Sequence, residues 1–131
     1  MEKMFIKVTC RDRETGSEYD QFFCIDPIAG FAFDPKSVEV LSNALLTREQ
    51  YLNAKLDSYF EDYVSSVKYT HSCEERFLSG DLSADTYRCC VALNREHIEV
   101  VKKQLRSVVR RMLDSGYEVP RKEVIFKIIE G

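Results

Sequence analysis

Five side chains of this sequence could bind zinc or combine a thiol nucleophile with a base. They are His71, Cys73, Cys89, Cys90 and His97. Structural zinc sites usually place paired Cys or His ligands a few residues apart. Here one residue separates His71 from Cys73, Cys89 and Cys90 are adjacent, and His97 is isolated. The spacing therefore favours no metal site, and we expect the protein to need no cofactor.

Thiol catalysis would need a base beside the nucleophile, for which Cys73 and Cys89 are the candidates. Distance along the sequence cannot show such a pair, nor a site built on the adjacent carboxylates Glu74 and Glu75. The chain contains no phosphate-binding loop, nucleophile elbow or metalloprotease pattern. We therefore predict a non-catalytic protein and rank a hydrolase or transferase below the binding functions.

The cysteines also bear on the cellular compartment. Five is an odd number, no Cys-x-x-Cys spacing occurs, and free cysteines are usually buried as small apolar residues. Cys10 and Cys24 could still face each other across a hairpin. Residues 1–5 lack the apolar run of a secretory signal, and no apolar run reaches the roughly 20 residues that span a bilayer. We expect a cytoplasmic protein that makes no membrane contact.

Basic residues late in the chain could contact phosphate. Residues 1–93 hold 10 Lys and Arg against 16 Asp and Glu, whereas residues 94–131 hold 9 against 6. A basic helix attracts nucleic acid through its phosphates. The basic arc consists of Arg95, Lys102, Lys103, Arg106 and Arg110. Glu99 lies within this arc and no aromatic residue accompanies it, so a solvated face or ion pairs with another helix explain the same charges.

Three acidic residues, Asp57, Glu61 and Asp62, are the candidate contacts for a protein partner. They belong to the acidic part of the chain, which also carries several tyrosines. Tyrosine anchors many interfaces, and carboxylates supply charge complementarity to a basic partner. Tyr59 and Tyr63 also fit the inner face of a helix, where they would be core residues instead.

A helix from Ser83 to Ser115 is predicted to position the basic arc. Its apolar residues recur three, four or seven positions apart, and Asn94 occupies a position where an apolar residue is expected. We favour a continuous helix, although Asn94 could cap a separate one. The apolar stripe could also serve a second copy of the chain, which predicts a homodimer through Ile98, Val101, Leu105, Val108 and Met112.

A second amphipathic helix is predicted to begin at Thr47, because Thr47 and Gln50 have the spacing of a capping box. Its inner face runs as far as Val67. Residues 69–82 then form the expected connection to the next helix. Two helices joined in this way would pack as an antiparallel hairpin.

The ends of the chain predict a small antiparallel sheet. Residues 3–10 alternate between apolar and polar, residues 19–25 are rich in aromatic side chains, and residues 124–129 are almost entirely apolar. The first two segments should form a hairpin, and the third should pair with it. The fold class is therefore α+β, a single globular domain over residues 1–131 in which the sheet packs with the helical hairpin.

Between the hairpin and Thr47 the sequence is less regular. An apolar loop is expected over residues 26–33, where it would cover the sheet. Asp34 and Pro35 are typical of a helix start, so we predict a short helix that extends to about Leu46. The residues Val38-Glu39-Val40 also fit a strand.

These features favour a small non-catalytic module for protein–protein interaction. It would act as an inhibitor or adaptor that occludes or bridges a partner surface, a class that includes virus-encoded inhibitors of host nucleic-acid enzymes. A nucleic-acid-binding protein that uses the basic arc within residues 95–111 is the alternative. Salt-sensitive binding to oligonucleotides would distinguish the two functions.

Overall fold

The structure is a computed structural model that describes residues 3–25 and 36–131. Three strands precede three helices along the chain. Their bounds are β1 Met4–Asp12, β2 Glu18–Ile25, β3 Val38–Leu46, α1 Arg48–Leu78, α2 Ala84–Asp114 and α3 Lys122–Glu130. The predicted α+β class is thereby confirmed. The chain divides into two compact units, Met1–Lys55 and Leu56–Gly131, and a single domain stays a prediction.

The first unit contains an antiparallel sheet with the strand order β2-β1-β3. The predicted hairpin is confirmed, since β1 and β2 pair along their length. The register places Cys10 opposite Tyr19 and Cys24 opposite Phe5, so the two cysteines do not face each other.

Alternate residues of β1 form the core of this sheet. Ile6, Val8 and Cys10 are buried, as the period of two in a strand requires. The partly buried apolar residues packed around them are Met4, Tyr19, Phe23, Ile25 and Val38.

The third strand is β3, and the short helix predicted over its residues was wrong. In the described part of the expected short helix, residues 36–37 form a turn, and Val38–Leu46 is a strand that pairs with β1. Residues 34–35 and the expected loop over residues 26–33 lie outside the described residues. The β-branched residues Val38 and Val40 favour a strand, and pairing with β1 outweighs the helical spacing of Leu41 and Leu45.

Helix α1 begins as predicted. The Gln50 backbone N–H donates to Thr47 Oγ1 at 3.1 Å, and the Thr47 N–H donates to Gln50 Oε1 at 2.9 Å. The predicted connection over residues 69–82 is wrong for most of its length, because α1 continues to Leu78. Small or polar residues, including Thr70 and buried Cys73, occupy the inner face there and conceal the apolar period.

Helix α2 is continuous through Asn94, as predicted. The Ser83 hydroxyl caps it by accepting from the Thr86 N–H at 3.2 Å. Gly116, with φ of 74°, follows its end in a left-handed conformation that suits glycine. Helices α1 and α2 form the predicted antiparallel hairpin, in which the Phe77 and Tyr87 rings stack with centroids 4.6 Å apart.

The predicted C-terminal strand is wrong, because residues 124–129 belong to helix α3. Ile125 is buried, and Phe126, Ile128 and Ile129 are partly buried, which is a helical pattern of exposure. A short apolar run fits a strand and a buried helix equally well, so its period alone was misleading.

Candidate protein-interaction site

Two residues of the basic arc on α2 make hydrogen bonds within the chain. Lys102 Nζ donates to the backbone oxygen of Gly131 at 3.2 Å, and Arg106 Nε donates to that of Ile129 at 3.0 Å. Both side chains therefore reach the last carbonyl groups of α3, where a helix lacks its own donors and favours positive charge. Their observed role is to cap α3.

The other three members of the basic arc are exposed. Arg95, Lys103 and Arg110 have no ion pair among residues 3–25 and 36–131. Glu99 lies between them and pairs with Lys102 at 3.6 Å. The surface left for phosphate is therefore three basic residues on one helix, interrupted by a carboxylate.

Two of the three predicted acidic contacts are also paired within the second unit. Asp57 Oδ1 lies 2.8 Å from Arg121 Nη1, and Asp62 Oδ1 lies 2.9 Å from His97 Nε2. Glu61 is exposed. A basic partner would have to displace Arg121 and His97 before it could contact all three carboxylates.

The predicted dimerisation stripe lies mostly inside the protein. Val101, Leu105, Val108 and Met112 are buried in the single chain, and Ile98 is partly buried. Because these four side chains are buried in the single chain, they cannot contact a second copy. A homodimer stays a prediction and would need a different surface.

The candidate zinc and thiol residues lie in different surroundings. His71 pairs with Glu74 at 3.6 Å, and Cys89 is exposed. Cys73 is buried and Cys90 is half-buried. Hydrogen bonding to the Cys90 and Cys73 side chains raises the pKa of Tyr69 to about 12. In the described part of the chain, no three His, Cys, Asp or Glu side chains are grouped as metal ligands.

A different candidate site is the outer edge of β3, which sequence reasoning missed because it predicted a helix there. In the order β2-β1-β3, one side of β3 pairs with β1, and no described strand pairs with its other side. Half of the backbone N–H and C=O groups of an edge strand point away from its neighbour. This edge is nine residues long.

Exposed apolar side chains accompany this edge. Val40 lies opposite Cys10 and Leu45 lies opposite Ile6, so both belong to the face of the sheet that carries the buried residues of β1. Leu45 is nevertheless 70% exposed and Val40 is 44% exposed. The apolar face of the sheet thus continues outward to the edge, where solvent contacts it.

The two edges of the sheet differ in charge. The β2 edge carries exposed Glu18 and Asp20, and charges of this kind discourage further strand pairing. In β3 the only charged residue is Glu39, which pairs with Arg11 at 3.6 Å. Leu41 is the extra residue of a β-bulge, since Thr9 pairs with Ser42 and Cys10 with Val40. From Leu41 to Leu46 the strand is uncharged.

No family model matches the chain, and neither a curated protein nor a solved structure matches it. In the described residues, no helix has both the length and the apolar character that crossing a membrane requires.

Proposed function

We propose that the protein is a non-catalytic interaction module that binds an extended segment of a partner protein along the edge of β3. The observation that carries this proposal is the edge strand β3, which exposes Val40 and Leu45 and is uncharged from Leu41 to Leu46. Binding there would let the protein act as an adaptor or inhibitor, because the bound segment would be withdrawn from its other contacts.

The chemistry of the edge favours a polypeptide as its occupant. A row of alternating backbone donors and acceptors is complementary to another extended backbone, and strand addition is an established mode of peptide recognition. Phosphate groups would find no cation between Leu41 and Leu46. The partner class is therefore a protein rather than a nucleic acid.

The side chains on this face also restrict the partner. A strand that pairs with β3 would place alternate residues beside Val40 and Leu45, because cross-strand neighbours contact each other on one face. Apolar residues at those alternate positions would cover both side chains and extend the apolar face that Ile6, Val8 and Cys10 form. We therefore expect a partner segment that alternates between apolar and polar residues.

The test uses Leu45→Lys, which places a charge on the edge at a position too exposed to affect the core. The matched control is Leu78→Lys, since Leu78 is 83% exposed at the end of α1. Affinity capture from cell extract should enrich one protein with the wild type and with the control, and should lose it with Leu45→Lys. Hydrogen exchange measured on the purified complex should then be slower at the β3 amides than in the free protein. Capture that survives Leu45→Lys, or protection confined to other elements, would contradict the proposal.

A second copy of this chain is the competing occupant of the edge. Light scattering of the pure protein distinguishes the two occupants. A 15.3 kDa particle for the wild type would show that no second copy occupies the edge. A dimer that Leu45→Lys converts to a monomer would assign the edge to self-association and overturn binding to a different protein.

Nucleic-acid binding is the alternative function, and exposed Arg95, Lys103 and Arg110 favour it. Anisotropy of labelled oligonucleotides at about 50 and about 200 mM salt tests it, because phosphate-driven binding weakens steeply over that range. Binding that is lost at the higher salt and in a triple alanine variant of these residues would replace the protein-partner proposal. We expect no binding at either salt concentration.

A further inference from the structure

Contacts between α1 and α2 define the register of the helical hairpin. His97 contacts Asp62, Asn94 contacts Ser66 and Thr70, and Tyr87 stacks on Phe77. The residue numbers of these contacts rise along α1 as they fall along α2, because the two helices are antiparallel. Cys73 and Cys90 fall between the contacts of Asn94 and those of Tyr87, so the two cysteines lie at the same level on facing helices.

The two helices approach each other closely beside these cysteines. Asn94 Nδ2 lies 2.7 Å from the backbone oxygen of Ser66 and 2.6 Å from Thr70 Oγ1. A side chain as short as asparagine can reach a backbone atom of the facing helix only where the helices are near each other. The neighbouring level therefore suits two cysteines, whose disulfide requires Cα atoms within about 7 Å.

Tyr69 joins the two thiols. Its hydroxyl hydrogen-bonds with the side chains of Cys90 and Cys73, and these bonds, that to Cys90 first, raise the pKa of Tyr69 to about 12. The phenol therefore keeps its proton at neutral pH and can donate to sulfur. The effect of both thiols on this hydroxyl group agrees with the hairpin register, which places Cys73 and Cys90 at the same level.

Cys73, Cys90 and Tyr69 form a cluster that solvent can reach from the side of Cys90. Cys90 and Tyr69 line a shallow depression of about 260 Å³ together with Leu93, Asn94 and His97. Cys73 is only 3% exposed. A small oxidant can therefore reach one thiol of the pair, while the other lies behind it in the helical interface.

We propose that Cys90 and Cys73 form an oxidisable dithiol that hydrogen peroxide converts to a disulfide between α1 and α2. The Cys90 thiol loses its proton, and its sulfur attacks one peroxide oxygen as the O–O bond breaks, which gives a sulfenic acid and one water. The Cys73 sulfur then attacks the sulfenic sulfur, and its proton leaves with the hydroxyl group as a second water. The thiols lose two electrons, and peroxide is reduced to two waters.

Tyr69 acts as a positioning residue in this reaction. Its hydroxyl group lies beside both thiols and can donate a hydrogen bond to sulfur. The disulfide would tie the two helices together across the loop between them. Constraining the unfolded chain in this way should raise Tm by about 10 °C.

The experiment treats the reduced protein with hydrogen peroxide, blocks the remaining thiols by alkylation, and maps disulfides by mass spectrometry. We expect one intramolecular disulfide between Cys73 and Cys90, with the higher Tm reversed by dithiothreitol. Cys89→Ser should leave the disulfide intact, since Cys89 is exposed and lies outside the cluster. Cys90→Ser should abolish it.

One further variant and a folding control test the interpretation. Tyr69→Phe should slow disulfide formation several-fold, because it removes the hydroxyl group that lies beside both thiols. Circular dichroism must show that Cys90→Ser remains folded. A disulfide through Cys89, sulfinic acid at Cys90 with Cys73 still reduced, or no loss of thiol would each overturn the proposal.

Discussion

Asn94 Nδ2 donates a 2.7 Å hydrogen bond to the backbone oxygen of Ser66, across the interface between α2 and α1. The same amide lies 2.6 Å from Thr70 Oγ1. The one polar residue in the apolar stripe of α2 therefore has its partners on the facing helix. This arrangement explains why the helix continues through Asn94 and does not break there.

Replacing Asn94 with alanine should destabilise the protein. The change removes both hydrogen bonds and leaves a gap in the interface between the helices. We expect the free energy of unfolding to fall by about 1–3 kcal/mol. Urea denaturation measures this loss, and Arg95→Ala, at the exposed neighbouring position, serves as the control with an expected change within about 0.5 kcal/mol. Equal effects of the two variants would contradict a specific role for Asn94.

Removing the Arg106 side chain should loosen the end of α3. Arg106 Nε donates to the Ile129 backbone oxygen at 3.0 Å, and its charge lies where the helix dipole favours a cation. Arg106→Ala should cost roughly 0.5–1 kcal/mol and accelerate hydrogen exchange in the last turn of α3. Arg110→Ala is the control, since no hydrogen bond joins Arg110 to α3 in the described residues. Unchanged exchange in α3 would show that the cap contributes nothing.

Removing the Thr47 hydroxyl should weaken the start of α1. The Thr47 and Gln50 side chains each accept from the other residue's backbone N–H. Thr47→Ala should lower the free energy of unfolding by about 1 kcal/mol, whereas Thr47→Ser should retain most of the stability. Thermal unfolding followed by circular dichroism distinguishes these outcomes. A loss as large in Thr47→Ser as in Thr47→Ala would argue against the capping role.

Local chemistry allowed the starts of α1 and α2 and the end of α2 to be predicted from sequence. Thr47, Ser83 and Gly116 act through their own side chains or backbone conformation, so their roles depend on a few neighbouring residues. The hairpin of β1 and β2 could also be predicted, because the alternation of apolar and polar residues in β1 reflects one buried face. These signals require no knowledge of distant parts of the chain.

Nonlocal pairing determines the elements that sequence reasoning missed. Residues 38–46 have helical and extended interpretations, and hydrogen bonds to β1 decide between them. Residues 124–129 form a helix whose buried position at Ile125 could not be known in advance. The β3 edge was missed for the same reason. The structure also brings Cys73, Cys90 and Tyr69 together through the hairpin register, which depends on where α1 ends.

The raised pKa of Tyr69 predicts a specific alkaline dependence. The hydrogen bonds to Cys90 and Cys73 raise its pKa from 10.0 to about 12 in the folded protein. Between these values the unfolded chain loses the phenol proton and the folded protein keeps it. The stabilising contribution of Tyr69 is therefore complete below pH 10 and is lost as the pH rises towards 12.

Ultraviolet titration of phenolate measures this shift directly. The difference between the wild type and Tyr69→Phe isolates one of the seven tyrosines, and its midpoint should lie near pH 12. Cys90→Ala should move that midpoint back towards 10, because it removes the largest cause of the shift. Cys89→Ala is the control and should leave the midpoint unchanged. A wild-type midpoint near pH 10 would show that the Tyr69 hydroxyl does not bond to the two thiols, and it would also remove the hydrogen-bond support for the oxidisable dithiol.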